Sequence, residues 1–123
     1  VVEACEKAGI PNDFYIKTFH HLNYPTAPRP EDMKLPCTEI PGYWCKDWQA
    51  VAERMKTVKK TWIAFKILAA GAIQPGKAFQ WAFEGGGDHI LVGMFDWQIE
   101  EDVALARQAI EKAKTSRQRP WCS

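Results

Sequence analysis

Three short runs of aromatic and β-branched residues alternate along this chain with segments whose apolar residues recur at helical spacing. The runs are residues 13–21, 61–70 and 89–94. The second run, TWIAFKILAA, is almost continuously apolar, which is typical of a parallel strand that is covered on both faces. Strands that alternate with helices in this way predict a parallel sheet joined by right-handed crossovers.

The helical segments carry start and stop signals between the strands. Gly9 stops the first segment, Asp47 is placed to cap the second, and Pro75 suits the first turn of the third. The last segment begins with acidic residues and ends with basic ones, as the helix dipole favours. The predicted helices are residues 1–8, 48–60, 75–84 and 99–113.

Residues 24–44 contain five prolines and no periodic pattern, so we expect a long irregular loop of the kind that often lies over a functional site. Three strands do not close a sheet, whereas eight βα units close into a barrel of about 250 residues. We therefore predict an α/β fold in which residues 1–114 form the carboxyl-terminal portion of a TIM (β/α)8 barrel. Residues 115–123 are expected to form a flexible tail, and an open three-layer sheet is the alternative architecture.

The composition is that of a soluble globular domain, with 46% hydrophobic and 25% charged residues and a net charge of +1. This near neutrality argues against a nucleic-acid partner, since such binding needs clustered Lys and Arg. The longest apolar stretch, residues 67–73, is far shorter than the ~20 residues that span a bilayer. The amino terminus shows neither Met nor a signal peptide, so we expect it to lie inside a longer protein. The cytoplasm is the default location, and export is left open.

The four cysteines, Cys5, Cys37, Cys45 and Cys122, are too widely spaced for a CxxC redox or zinc pair. No metal site is therefore predicted. Free thiols in a reducing compartment are the expected state. A disulfide between Cys37 and Cys45, across the proline-rich loop, is the alternative.

Lys66 is the charged residue of the second strand, near the end where a barrel places its active site. Alternation along the strand puts Ile63 and Phe65 on the face opposite Lys66, and we expect these bulky residues to face the helices. Lys66 then points into the barrel. There its ammonium can clamp an anion, donate a proton, form a Schiff base or pair with a carboxylate.

Gly71 and Gly93 follow the second and third strands at the same edge of the predicted sheet. Small residues at these positions let backbone N–H groups approach a phosphate. The alternative is that both glycines permit tight turns between a strand and a helix.

The first strand carries Lys17, Phe19 and His21 on one face, because side chains alternate with a period of two. This face is expected to look into the barrel, and His20 is then expected to point outward. For either histidine taken alone, a structural role is the favoured interpretation.

The succession IAFKILAAGAI, a helix and DHILVGMFDWQIEEDVALA resembles the end of the aldo/keto reductase superfamily. The run DFYIKTFHHLNY is similar to the preceding strand of that family, so the match covers about residues 1–113 and strands 6 to 8. Within the superfamily, the sequence is most similar to a bacterial group of aldo/keto-reductase-like proteins. The resemblance implies a barrel that binds NADP or NAD and transfers hydride to the carbonyl of a small-molecule, sugar-like substrate.

The resemblance also implies roles for individual positions. Lys17 stands where the family has the Gln that contacts nicotinamide, and His21 is the candidate for substrate binding. The catalytic tetrad of the family comes from the first half of the barrel, so no catalytic residue is assigned except Lys66 as a candidate. The segment after Gly93 lacks the cations that hold the 2′-phosphate of NADP. The other positions expected to border the cofactor are Phe65, Lys66, Gly71, Gly93 and Met94.

Two further functions remain open from the residues alone. A phosphate-handling aldolase or isomerase barrel fits Gly71, Gly93 and an inward Lys66. A non-catalytic barrel used as a binding module fits the many aromatic residues, which are enriched in protein interfaces. The aromatic candidates are Tyr43, Trp44, Trp48, Trp97 and Trp121.

Overall fold

Strands and helices alternate through residues 1–34 and 44–122, which the computed structural model describes. The fold is α/β, as predicted. Short 3-10 turns at Asp32–Lys34 and Asp96–Gln98 accompany the main elements. These are α1 (Val2–Lys7), β1 (Phe14–Thr18), α2 (Trp48–Lys56), β2 (Thr61–Phe65), α3 (Pro75–Glu84), β3 (His89–Leu91) and α4 (Ile99–Ser116).

The three strands form one parallel sheet in the order β1-β2-β3. In the register, Tyr15 lies opposite Trp62 and Phe65 lies opposite Leu91. The carboxyl ends of all three strands therefore meet at one edge. Among the described residues, the outer edges of β1 and β3 pair with no further strand.

The four described helices cover one face of this sheet. Trp62 and Ala64 are fully buried in a single core cluster to which all four helices contribute. On the opposite face, Phe14, Ile16 and Leu91 are 49%, 53% and 47% exposed. Among the described residues, the sheet thus has a covered face and an open face.

The predicted orientation of the second strand was wrong. Trp62 and Ala64 face the helices, and Ile63 and Phe65 lie on the open side. The reason is close packing, since a Cβ atom at Gly87 would lie only 3.0 Å from the Cβ of Ala64. A small residue therefore belongs on the covered face at this position, whatever its hydrophobicity.

The second strand is also shorter than predicted: it ends at Phe65, and the prediction extended to Ala70. Lys66, Ala69 and Ala70 have positive φ angles of 58°, 46° and 56°, and Gly71 follows with 88°. Left-handed backbone costs a non-glycine residue about 1–2 kcal/mol. The chain thus leaves β2 through a strained turn, and strand alternation does not decide where Lys66 points.

The helix starts predicted from Asp47 and Pro75 are confirmed. The Asp47 Oδ1 atom accepts the Ala50 N–H at 2.9 Å, and Pro75 is the first residue of α3. The first helix is confirmed in outline as α1. The last helix extends to Ser116, three residues beyond the predicted end at Ala113.

The residues after α4 pack against the sheet, in contrast to the predicted flexible tail. Asp88, just before β3, accepts hydrogen bonds from Arg117 Nη2 and Arg119 Nη1, both at 2.6 Å. These three side chains are at most 3% exposed, and we call them the Asp88 cluster. A buried carboxylate requires such partners, which draws the tail inward.

The Asp88 cluster lies at the amino ends of β2 and β3. Asp88 Oδ2 also accepts the Trp62 N–H at 2.9 Å, which ties the cluster to β2. Arg119 donates to the carbonyl oxygens of Met55, Val58 and Lys60, at and after the end of α2. One aspartate and two arginines thereby join the tail, the sheet and the end of a helix.

Candidate functional site

A cleft of about 580 Å³ opens at the carboxyl ends of β2 and β3. The strained turn after β2, the amino end of α3 and the segment after β3 line it. Four residues predicted to border a cofactor are therefore brought together. They are Phe65, Lys66, Gly71 and Gly93.

The Lys66 side chain lies against aromatic rings. Its Nζ atom is 4.6 Å from the ring centroid of Trp44 and 5.8 Å from that of Phe65. Each such cation–π contact contributes about 0.5–2 kcal/mol and leaves the ammonium hydrogens available to a ligand. Within the described ranges, no carboxylate forms an ion pair with Lys66. An anion in the cleft would meet a positive charge that no described carboxylate neutralises.

The amino end of α3 reaches the cleft wall through Gln74 and Pro75. Gln74, the residue before the helix, makes no side-chain capping bond, and the first intrahelical bond runs from the Ala78 N–H to the Gln74 carbonyl. The N–H groups of Gly76 and Lys77 therefore have no partner within the helix. Together with Lys66, this end of α3 favours an anionic group in the cleft.

A flat aromatic surface borders the other side of the cleft. Phe95 lines the cleft and stacks on Trp97, with ring centroids 4.5 Å apart and an angle of 6° between the planes. Phe95 is 63% exposed and Trp97 74%. Met94, which was predicted to border the cofactor, is 39% exposed and lies beside this surface without lining the cleft.

The carboxyl end of β1 differs from its prediction. Phe19 is completely buried on the covered face, against Trp62 at 4.7 Å and Trp81 at 4.2 Å between ring centroids. The predicted inward face was therefore wrong, because the large rings of β2 and α3 take Phe19 to the helix side. His20, which was expected to point outward, is also fully buried and lies between the rings of Tyr24 and Trp44.

Lys17 and His21 are half-buried and do not line the cleft between β2 and β3. Lys17 Nζ donates to the Thr18 carbonyl at 3.4 Å. His21 Nδ1 accepts the Asn23 N–H at 3.1 Å, and its ring packs edge-on against Trp81 at 5.2 Å. Burial lowers the pKa of His21, so the ring is neutral near pH 7. Their proposed roles toward cofactor and substrate remain predictions.

The predicted interface aromatics divide into different environments. Trp97 and Trp121 are exposed, whereas Trp44 and Trp48 are half-buried. Trp44 positions Lys66, and Trp48 packs against Trp81 at 5.4 Å. No local pattern in the sequence connects Trp44 with Lys66, since 22 positions separate them. Tyr43 lies outside the described residues.

Cys5, Cys45 and Cys122 are free thiols, and Cys37 lies outside the described residues. Residues 1–34 and 44–122 hold no group of three or more His, Cys, Asp or Glu side chains placed to bind a metal ion. None of the helices in these ranges has both the length and the hydropathy that crossing a membrane requires.

Comparison of the chain with protein-family models, with curated proteins and with solved structures gives no match. The resemblance to aldo/keto reductases therefore rests on the sequence motifs. The structure itself establishes a small α/β fold with a three-stranded parallel sheet and a cleft at its carboxyl edge.

Proposed function

We propose that β1, β2 and β3 are consecutive strands of a (β/α)8 barrel, and that the whole protein is an aldo/keto-reductase-like oxidoreductase acting on a carbonyl or sugar-like substrate. One observation carries the proposal: the helices share one core on one face of the sheet, and the other face is open and apolar. In a barrel, that open face is the interior, which bulky apolar side chains fill.

The open second face, and not the strand order, favours a barrel over an open three-layer sheet. Parallel strands that follow one another in sequence order are the repeat of a (β/α)8 barrel. A doubly wound sheet also has such runs on each side of the point where its strand order reverses, but it carries helices on both faces. Phe14, Ile16 and Leu91 would then need a second helix layer, and the described helices do not supply one.

The cleft is the proposed site of the anionic part of the ligand. Lys66 supplies a positive charge, Gly71 and Gly93 permit close approach of the backbone, and the amino end of α3, where the helix dipole is positive, borders the cleft. After Gly93, the residues Phe95, Asp96 and Trp97 bring no cation. This composition favours NAD over NADP, because the 2′-phosphate of NADP needs a basic partner.

Titration of the full-length protein with NADH and NADPH tests this proposal. We expect NADH to bind, and Lys66→Ala to weaken binding about tenfold, as loss of a charged hydrogen bond does. Lys59→Ala, an exposed residue before β2, is the matched control and should leave binding unchanged. Absence of binding by both nucleotides would refute the nicotinamide function.

A phosphate-handling aldolase or isomerase is the second candidate, favoured by Lys66, which has no carboxylate partner among the described residues and faces the cleft. Its amine would condense with a substrate carbonyl, with loss of water, to give an imine. Treating the full-length protein with dihydroxyacetone phosphate and borohydride reduces such an imine to a stable secondary amine. A mass increase that Lys66→Arg abolishes supports this function, and an unchanged mass argues against it.

A further inference from the structure

His20 is a buried histidine with one ring nitrogen that lacks a partner. The residue has no exposed surface, and its Nδ1 atom lies 3.0 Å from the His21 carbonyl oxygen. A carbonyl oxygen only accepts, so Nδ1 carries the proton and Nε2 is the unprotonated nitrogen of a neutral ring. Nε2 is enclosed and has no hydrogen-bond partner among the described residues. Such an orphaned polar atom needs a physical explanation.

The surroundings of His20 are aromatic and sulfur-containing. The rings of Tyr24 and Trp44 each lie edge-on to the imidazole, at 6.1 Å between centroids. The Cys45 thiol is 2% exposed, and burial raises its pKa while the nearby His20 backbone lowers it in part. We call His20, Tyr24, Trp44 and Cys45 the His20 cluster. It closes the carboxyl end of β1.

The charged groups around the His20 cluster do not favour a positive charge on the His20 imidazole. Lys17 and His21, from the same segment, both act against protonation of His20. Lys66 lies on the ring of Trp44. Asp47, the carboxylate near Cys45, is exposed and caps α2. Burial lowers the pKa of His20, and the hydrogen bond to the His21 carbonyl opposes this effect in part.

We propose that His20 is a pH-dependent switch: the neutral imidazole keeps the His20 cluster closed, and protonation at Nε2 opens the cluster and exposes the Cys45 thiol. Among the residues that the structure describes, the closed state offers the new N–H no acceptor and the new charge no counterion, whereas water supplies both once the cluster opens. One proton drives the opening, so the open fraction grows about tenfold per pH unit below an ordinary histidine pKa of about 6.5.

The rate at which Cys45 reacts with 4,4′-dithiodipyridine measures this opening. The protein carries Cys5→Ser, Cys37→Ser and Cys122→Ser, and it is compared with the same protein bearing His20→Asn. The asparagine amide still donates to the His21 carbonyl but does not titrate. Because both proteins have the same thiol, the ratio of their rates removes the pH dependence of the thiolate.

The rate of the protein with His20, divided by the rate of the His20→Asn protein, is expected to rise about tenfold per pH unit as the pH falls below about 6.5. His21→Asn is the matched control and should keep the rise. A ratio that does not change with pH overturns the proposal. If His20→Asn does not fold, the rate of the His20 protein is compared with that of a cysteine peptide. In that case the ¹⁵N spectrum of the His20 imidazole must show a neutral ring with the proton on Nδ1 until the Cys45 thiol becomes reactive. Protonation of His20 without exposure of Cys45 overturns the proposal.

Discussion

The amino and carboxyl edges of the sheet differ in how their charged side chains are paired. At the amino edge, Asp88 is paired with Arg117 and Arg119, and every nitrogen of the Arg119 guanidinium donates a hydrogen bond. At the carboxyl edge, Lys66 has no ion-pair partner among the described residues and His20 has an orphaned nitrogen. The buried charges at the amino edge are paired, which stabilises the fold, whereas Lys66 and His20 at the carboxyl edge are the residues to which we assign a ligand and a switch.

Loss of the buried carboxylate at the amino edge is the most damaging change we predict. Asp88→Asn leaves two guanidiniums buried without a negative partner, which should lower the free energy of unfolding by about 3–5 kcal/mol. Urea denaturation measures the loss. Asp96→Asn, at an exposed aspartate, is the control and should cost under about 0.5 kcal/mol. A small loss at Asp88 would show that the two edges do not differ as described.

A substitution on the open face of the sheet distinguishes the proposed barrel from an open three-layer sheet. Ile16→Asp should cost about 3 kcal/mol or more in the full-length protein, because the barrel interior would bury an unpaired carboxylate. In the 123-residue chain the cost should be close to zero, since Ile16 is already 53% exposed. Ile10→Asp, at a residue 46% exposed outside the sheet, should be mild in both proteins. Equal effects of Ile16→Asp in both would refute the barrel.

The strained turn at the carboxyl edge should gain stability from glycine. Ala70 has a φ of 56° and is exposed, so Ala70→Gly relieves left-handed strain without removing a buried contact. We expect thermal unfolding to show a gain of about 0.5–1 kcal/mol, which is the strain less the backbone entropy of glycine. Ala104→Gly, on the exposed side of α4, should instead lose about 1 kcal/mol. A loss at Ala70 would mean that this turn is not strained.

Acid should weaken the carboxyl edge through His20. Burial lowers the pKa of His20 in the folded protein, so below about pH 6.5 the unfolded chain binds more protons than the folded one. The free energy of unfolding therefore falls as the pH drops from about 6.5 toward the folded pKa, by up to about 1.4 kcal/mol per pH unit. The difference between wild type and His20→Asn in melts at pH 7 and 5.5 isolates this term. Equal pH dependence in the two proteins would contradict it.

Part of the fold was predictable because its signals are local. Apolar periodicity predicted the order of strands and helices, and Asp47 and Pro75 predicted the starts of α2 and α3. The carboxyl-edge residues Lys66, Gly71 and Gly93 were predicted to lie together, since parallel strands end at one edge. Four positions predicted around a cofactor do line one cleft, although the cofactor itself remains a proposal.

Other features depend on residues far apart in the chain, and local patterns do not report them. Asp88 and Arg119 are separated by 31 positions, and no spacing rule links them. Trp44 and Lys66 likewise lie in contact although 22 positions separate them. The orphaned nitrogen of His20 depends on which side chains enclose it, so the sequence alone left a structural role and a functional role open.

The sequence by itself determined the alternation of strands and helices, the parallel sheet and the edge at which the chemistry-bearing residues gather, because periodicity and turn residues act over a few positions. Only the tertiary structure decided which face of β2 is covered, that the tail is held by Asp88, and that Lys66 lies in a strained turn. Close packing and the pairing of buried charges decide these features. Both depend on the shape and charge of distant neighbours, which no local pattern contains.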